Sequence, residues 1–523
     1  MRSLSFLALS AAFLLTGGCQ ALRAEQSATV HPVGAPPELE LYGYLDPAHP
    51  RAELIERIRE RLDDERINNA HWGVLIESLD TGEVWYEQNG RRMFIPASNQ
   101  KVPTTAAAFL SLGPDFTFTT HLCHTGEVNG NTLEGDLVVF GNGDPTLYER
   151  FHDDSRDVFR QWAHLLKEMG IERITGDVIG DDNAWEDSHT GSGWPPVDGV
   201  TPWYYAEYGP LQVNENYVDI MIHPPDNPGE PVRLVPNMPS EYYTLVNNLE
   251  AVEEGSTSVS LNRPVATNRI YLNGRVVAGS NAFERTATIT NPTLYYVTVL
   301  KETLEEEGIE VHGAPVDCDD IEGWDHKPED FPVITAHDSP PLTEILNLVM
   351  KRSQNMYAES VLLAMGWKDT GHGSVSSGAD VVYREMERFG INRQNMRFRD
   401  GSGLSRFNYL SPRAVVAIYR GMLETEHADL WWEAQAIGGV EGTIASRFRN
   451  TPGAENIRGK TGTLGSVRSL SGYLTTAGDE KLLFSFLVNG HTTTAGQVDR
   501  VIDDILFMLI EEEALEEDVP AGG

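Results

Sequence analysis

The stretch FIPASNQKVPTTAAAFLSL, residues 94–112, places a short polar turn directly ahead of an apolar, alanine-rich run. Alanine and leucine favour a helix, and Gly113-Pro114 marks its end. Ser98 and Lys101 lie three positions apart at the start of this helix, so their side chains share one face. Because a serine hydroxyl becomes a good nucleophile only beside a base, the two residues are a candidate catalytic pair.

Two further short patterns follow along the chain. Ser353-Gln354-Asn355 lies at the predicted junction of two helices, and Lys460-Thr461-Gly462, followed by Thr463, lies in a predicted strand. Taken alone, each pattern is common by chance and is typical of helix caps or solvated strand residues. In this order, however, they match the S-x-x-K, S-x-N and K-T-G set of β-lactamases and penicillin-binding proteins. Together they predict an acyl-transfer site.

The residue types in these patterns suit each step of acylation. We expect Ser98 to attack a carbonyl carbon, with Lys101 as the general base. Burial and a second cation, Lys460, would lower the pKa of Lys101 enough for that task. Ser353 would relay a proton to the leaving amine, and Asn355 would orient Lys101 and the substrate amide.

The strand motif predicts how the substrate is bound. Lys460 and Thr461 offer an ammonium and a hydroxyl to a free substrate carboxylate. Gly462 would let the substrate backbone approach the strand closely. The backbone N–H groups of Ser98 and Thr463 would form the oxyanion hole. This chemistry requires neither a metal nor an organic cofactor.

With these residues in place, the chain resembles the class C low-molecular-mass penicillin-binding proteins of the penicillin-binding protein 4 or DacB type. The interval of 255 positions between Ser98 and Ser353 (353 − 98) is much longer than in β-lactamases, and in this family it holds two extra domains. The resemblance covers residues from about 50 to 512, and beyond the three motifs it rests on Gly135-Asp136-Leu137, Gly143-Asp144-Pro145-Thr146-Leu147, Gly176-Asp177-Val178, Asn214-Glu215-Asn216, Asp400-Gly401-Ser402-Gly403-Leu404-Ser405-Arg406 and Gly439-Val440-Glu441-Gly442-Thr443.

The resemblance implies an α/β (α+β) transpeptidase/β-lactamase-like domain, an antiparallel sheet flanked by helices, with two β-rich insertion domains. It implies a serine D,D-peptidase that cleaves D-Ala-D-Ala termini or D-Ala–diaminopimelate cross-links of peptidoglycan stem peptides and is acylated by β-lactams. It also implies that Asp181 and Arg406 bind the polar end of a diaminopimelate side chain, with Asp182 as an adjacent alternative to Asp181.

Changes in sequence character along the chain predict its domains. The helix and strand patterns of residues 46–113 and 336–515 indicate one catalytic domain assembled from both ends of the chain. Between them, residues 114–335 alternate short β-rich runs with Gly, Asn, Asp and Pro turns. We expect this inserted region to form two subdomains, the inner one at about residues 180–280.

Residues 1–19 are typical of an export signal, with Arg2 ahead of an apolar run and small residues ahead of Cys19. The segment resembles a bacterial lipobox, although Thr16 stands where a large aliphatic residue is usual, and ordinary signal cleavage nearby is the alternative. Residues 20–45 predict a flexible tether. We expect an exported, periplasmic protein. A lipid on Cys19 would attach it to the outer membrane.

The charge balance excludes two kinds of partner. With 78 acidic and 40 basic residues, the chain has a formal net charge of −38. Sequence-independent nucleic-acid binding requires a basic face, as does electrostatic docking on anionic lipid. A saline habitat and an ordinary acidic secreted protein both remain consistent with this charge.

The sequence does not decide whether Cys123 and Cys318 form a disulfide. In an oxidising compartment these two residues could form a single bond with each other.

Two other functions remain open at this stage. A β-lactamase-like hydrolase would require fast deacylation, and therefore a base that activates water. A non-catalytic β-lactam sensor or wall-binding lipoprotein would keep its role without Ser98. Long-lived labelling by a fluorescent penicillin would count against the hydrolase, and release of D-alanine from a pentapeptide would exclude the non-catalytic protein.

Overall fold

A computed structural model describes residues 50–194 and 202–513 of the 523-residue chain. The expected export signal, the tether and Cys19 therefore lie outside the described residues. None of the described helices combines the length and the apolar character that are needed to cross a bilayer.

The described residues form ten α-helices and 23 β-strands. The helices are α1 Ala52–Leu62, α2 Lys101–Ser111, α3 Asp157–Glu168, α4 Pro292–Glu306, α5 Leu342–Lys351, α6 Asn355–Thr370, α7 Val375–Met386, α8 Pro412–Met422, α9 Ala428–Glu433 and α10 Ala495–Ile510. The strands are β1 His71–Ser78, β2 Val84–Gln88, β3 Thr119–His124, β4 Glu127–Asn129, β5 Thr132–Glu134, β6 Leu137–Gly141, β7 Arg173–Ile174, β8 Val178–Asp181, β9 Tyr217–His223, β10 Arg233–Pro236, β11 Thr244–Val252, β12 Ser258–Asn262, β13 Arg269–Val277, β14 Phe283–Thr288, β15 Glu310–Val311, β16 Pro315–Asp317, β17 Val333–Asp338, β18 Met396–Arg397, β19 Tyr409–Leu410, β20 Ala436–Ile437, β21 Arg458–Leu464, β22 Val467–Thr475 and β23 Lys481–Asn489.

The largest sheet joins the two ends of the described chain. Its six strands lie in the order β2-β1-β23-β22-β21-β20, and every neighbouring pair is antiparallel. Seven consecutive residues of β23 are buried, so both of its faces are covered. Helix α8 packs on β1, β22 and β23, whereas α10 packs on β22 and on α1. The predicted fold class, an antiparallel sheet flanked by helices, is confirmed.

Helix α2 lies at the centre of the helical layer beside this sheet. It packs against α5, α6, α7 and α8. Ala106, Ala107 and Ala108 are all fully buried, because their small side chains let other helices approach α2 from several sides. The alanine-rich run therefore fixes the position of the turn that carries Ser98.

Four smaller sheets use residues between 119 and 338. Their strand orders are β16-β8-β6-β3-β17, β15-β7-β5-β4, β10-β9-β14 and β11-β13-β12. Helices α3 and α4 pack on each other within the same apolar core as these strands. The last strand, β17, pairs with β3 and continues to Asp338, so the boundary expected at residue 335 falls inside a strand.

The two cysteines within the described residues are both buried and both free. Cys123 lies in β3, and Cys318 directly follows β16. The disulfide that the sequence left open is therefore not formed. Burial raises the pKa of the Cys123 thiol to about 11.

Candidate active site

Ser98 lies in a tight 3₁₀ turn immediately ahead of α2. The residue before it, Ala97, has φ +47°, a left-handed conformation that is rare for residues with a side chain. The side-chain amide of Asn99 donates to the carbonyl of Lys460 and to Ser469 Oγ, each at 2.9 Å. These bonds tie the turn that carries the candidate nucleophile to strands β21 and β22.

Lys101 joins the first motif to the second. Its Nζ donates to Asn355 Oδ1 at 2.6 Å, to the Ser402 carbonyl at 2.6 Å and to Ser98 Oγ at 3.2 Å. The side chain is fully buried. Because an ammonium has three protons to donate, these three acceptors satisfy it completely.

Lys460 joins the third motif to the second. Its Nζ donates to Ser353 Oγ at 2.8 Å and to the carbonyl of Thr461 at 3.0 Å, and its side chain is fully buried. Ser353 itself has φ +62°. The structure thus brings the five residues expected to be catalytic into one cluster.

Both lysines have lowered pKa values. Burial lowers the pKa of Lys101 to about 7, although the nearby carboxylates of Glu359 and Asp400 act in the opposite direction. Burial, and next the charge of Lys101, lower the pKa of Lys460. Near pH 7 a substantial fraction of Lys101 is therefore in the neutral amine form. Of the two causes expected from the sequence, burial and Lys460, burial is the one that dominates the lowered pKa of Lys101.

Strand β21 carries the K-T-G motif along an open edge. Its neighbour β20 pairs only with the first two residues of β21, so within the described chain residues 460–464 have no strand partner on that side. A Cβ at Gly462 would lie 2.2 Å from Ser469 Oγ and 2.9 Å from the backbone nitrogen of Ser98. Gly462 is thus required for the close approach of the Ser98 turn, and its expected role towards the substrate backbone stays a prediction.

The two threonines of this strand have side-chain partners that were not expected from the sequence. Thr461 Oγ1 donates to Thr443 Oγ1 at 2.7 Å. Thr463 Oγ1 accepts a hydrogen bond from the guanidinium of Arg468, which also forms an ion pair with Asp499. Arg468 is the register partner of Thr463 on β22, so strand pairing is the signal that could have identified it.

A buried carboxylate supports the backbone beside Lys101. Glu359 accepts hydrogen bonds from the N–H groups of Gly401 and Ser402, each at 2.8 Å. Burial, and next the neighbouring Asp400, raise the pKa of Glu359 to about 8. These bonds fix the Ser402 carbonyl to which Lys101 donates. Glu359 is one helical turn after Asn355 on α6, and this spacing could have identified it from the sequence.

The inserted region also reaches the cluster. Asn355 Nδ2 donates to the carbonyl of Tyr204 at 2.8 Å. Trp194 Nε1 donates to the carboxylate of Asp400 at 2.8 Å. Backbone and side chains from residues far from the three motifs therefore complete the surroundings of Lys101.

The residues expected to bind diaminopimelate lie in different environments. Asp181 is buried and accepts a hydrogen bond from Trp324 Nε1 at 2.6 Å, while Asp182 accepts one from Thr293 Oγ1 at 2.6 Å. Arg406 is exposed and donates to a carbonyl in the turn between β21 and β22 at 2.7 Å. Within the described residues, no hydrogen bond links either aspartate to Arg406 or to the three motifs.

Known proteins resemble the chain over most of its length. The family model for D-Ala-D-Ala carboxypeptidase 3 (S13) matches residues 54–506. A D-alanyl-D-alanine carboxypeptidase of Actinomadura sp. (strain R39) is 29% identical over 482 residues, which cover 88% of this chain and 85% of the relative. The D-alanyl-D-alanine carboxypeptidase DacB of Haemophilus influenzae is 27% identical over 427 residues, 80% of this chain and 86% of the relative.

A solved structure agrees with these sequence relatives. The crystal structure of penicillin binding protein 4 (dacB) from Haemophilus influenzae superposes with a TM-score of 0.74 at 25% identity, covering 86% of this chain and 99% of that one. Both the fold and the sequence therefore assign the chain to the penicillin-binding class of serine peptidases.

The chain belongs to the D-Ala-D-Ala carboxypeptidase 3 (S13) family. This membership confirms the resemblance to class C penicillin-binding proteins of the DacB type. It also confirms the predicted enzyme, a serine D,D-peptidase that acts on peptidoglycan. Because peptidoglycan lies outside the cytoplasmic membrane, the enzyme is exported.

Proposed function

We propose that this D,D-peptidase works through an acyl-enzyme on Ser98, with the neutral form of Lys101 as general base. The observation that carries the proposal is the 3.2 Å separation of Lys101 Nζ and Ser98 Oγ, combined with the lowered pKa of Lys101, about 7. A base with a pKa near the working pH transfers protons most effectively. Ser98 attacks the carbonyl carbon of the penultimate D-alanine, and its proton moves to Lys101.

Lys101 then passes this proton to Ser353, and Ser353 gives its own hydroxyl proton to the leaving amine. Its contact with Lys460 Nζ at 2.8 Å supports this relay. Loss of the amine leaves an ester on Ser98, which water hydrolyses while the same side chains return the protons. Asn355 holds Lys101 in the orientation that this exchange needs, and its 2.6 Å hydrogen bond to Lys101 supports that role.

Binding of the substrate depends on the open edge of β21. The N–H groups of Ser98 and Thr463 form the oxyanion hole, and Thr461 with Lys460 binds the terminal carboxylate. Arg406 binds a diaminopimelate carboxylate, a role supported by its exposure beside the turn that follows β21. For Asp181 the same role rests on the family resemblance alone, since its carboxylate accepts a hydrogen bond from Trp324.

The substrates we propose are D-Ala-D-Ala termini and D-Ala–diaminopimelate cross-links. β-Lactams acylate Ser98 because they resemble the D-Ala-D-Ala end. The Haemophilus influenzae penicillin binding protein 4 has been solved in complex with a novel β-lactam, at a TM-score of 0.69 and 25% identity to this chain, which supports the proposal.

Export to the periplasm would use residues 1–19, with a lipid on Cys19 as the anchor in the outer membrane. The catalytic domain would comprise residues 46–113 and the chain that follows β17, which ends at Asp338, with the residues between them inserted. Cys19→Ala tests the anchor, because it would abolish incorporation of labelled palmitate and release the protein from membranes. Palmitate incorporation that survives this change would contradict the proposal.

Release of D-alanine from a pentapeptide ending in D-Ala-D-Ala tests the function. The wild type should release D-alanine and Ser98→Ala should not. Ser111→Ala is the matched control, because Ser111 lies on the same helix and its hydroxyl donates only to the Ala107 carbonyl. Release by Ser98→Ala at the wild-type rate would contradict the mechanism. Rapid turnover of benzylpenicillin would instead favour the β-lactamase-like alternative, and no release by the wild type would favour a non-catalytic binder.

A further inference from the structure

The turn Asn214-Glu215-Asn216 in the inserted region has an unusual backbone. Its three residues have φ values of +54°, +50° and +55°, which residues with side chains rarely adopt. All three are buried. Such a conformation persists only where the surrounding structure holds it. This turn holds the side chain of Glu215 in the protein interior, where it has no exposed surface.

The Glu215 carboxylate accepts four hydrogen bonds. Oε2 accepts from Gln354 Nε2 and from the Tyr217 hydroxyl, each at 2.6 Å. Oε1 accepts from the Tyr357 hydroxyl and from Arg150 Nε, each at 2.9 Å. Arg150 supplies the opposite charge that a buried carboxylate needs. An amide in place of this carboxylate would turn a donor towards other donors.

Gln354 is the middle residue of the S-x-N motif, and its amide has one orientation. Its Nε2 donates to Glu215, and its Oε1 accepts from the backbone N–H of Asn355 at 2.9 Å. This second bond caps α6 at its first residue. On the other side of Gln354, Ser353 has its left-handed φ of +62°.

We infer that Glu215 is a positioning residue for the catalytic cluster and acts through Gln354. By holding the Gln354 amide, it fixes the backbone of its two neighbours. Ser353 Oγ then lies 2.8 Å from Lys460 Nζ, and Asn355 Oδ1 lies 2.6 Å from Lys101 Nζ. The inference rests on the proposed function, since it assigns a task to the groups named there.

Substitution of Gln354 tests the link without disturbing the other three hydrogen bonds of Glu215. We expect Gln354→Met and Glu215→Gln each to lower kcat and the penicillin acylation rate on the order of 10²-fold, with little change in KM. The double variant should be no slower than the slower single variant, because Gln354→Met already removes the hydrogen bond through which Glu215 acts. Tyr217→Phe is the matched control, since it removes a donor to the same Oε2 and, within the described residues, no hydrogen bond joins Tyr217 to the three catalytic motifs. It should keep the wild-type kcat.

Thermal unfolding of each variant separates positioning from general stability. The inference is overturned if Gln354→Met folds and keeps the wild-type kcat, or if Tyr217→Phe lowers kcat as much as Gln354→Met does. A wild type that releases no D-alanine would instead refute the proposed function, so the two failures are distinguishable.

Discussion

Lys101 Nζ lies 3.2 Å from Ser98 Oγ in a cluster where the lysine has no exposed surface. The cost of placing a charge there lowers the pKa of the amine to about 7, and Glu359 and Asp400 limit the fall. Burial thus brings the pKa of Lys101 into the range in which its amine can accept the proton of Ser98.

The first consequence is a pH dependence. Only the neutral amine accepts a proton, so acylation by benzylpenicillin should fall as the pH drops below the pKa of Lys101, about 7. Well below it, the rate should fall about tenfold per pH unit. Stopped-flow acylation kinetics on both sides of pH 7 measure this. A rate that stays constant through this region would contradict the assignment of Lys101 as base.

Arginine at position 101 keeps the charge but cannot lose its proton. Lys101→Arg should therefore lower the acylation rate by about 10²- to 10⁴-fold, the range of general-base catalysis. Lys368→Arg is the control, because Lys368 donates only to carbonyls at the end of α2, away from the cluster. Acylation of Lys101→Arg at the wild-type rate would show that another group takes the proton.

A methyl group at position 462 should displace the nucleophile. In Gly462→Ala, the new Cβ would lie 2.9 Å from the Ser98 nitrogen and 2.2 Å from Ser469 Oγ. We expect acylation to slow on the order of 10²-fold, because the Ser98 turn must shift. Gly496→Ala, where a Cβ meets nothing within 4 Å, is the control. Equal acylation rates for the two variants would show that this close approach is unimportant.

Much of this architecture follows from the sequence. The α2 helix is predicted from its alanine-rich run, and β21 from the strand-like run that carries Lys460-Thr461-Gly462. The contact of Lys101 with Asn355 could be expected only from the family order of motifs, because no local pattern links residues 254 positions apart. The left-handed backbone of Ala97 and the anchoring of Gln354 by Glu215 depend on tertiary packing, so no sequence period reveals them. The substrate-binding role of Asp181 comes from the family resemblance and stays a prediction; its carboxylate accepts hydrogen bonds from Trp324 Nε1 and from the Asn183 N–H.

The cysteines give a prediction outside the active site. A peptide map without reducing agent should contain no fragment that joins Cys123 to Cys318, since both thiols are free. Because burial raises the pKa of Cys123 to about 11, thiol reagents should modify it slowly at neutral pH in the native protein and rapidly in denaturant. A joined fragment would show that the pair oxidises.

The most direct test of the central claim, that three distant stretches form one serine-acylating site, is mass spectrometry after incubation with benzylpenicillin. We expect a single adduct that maps to Ser98 and is absent from Ser98→Ala. An adduct on another residue, or one that persists in Ser98→Ala, would contradict the account.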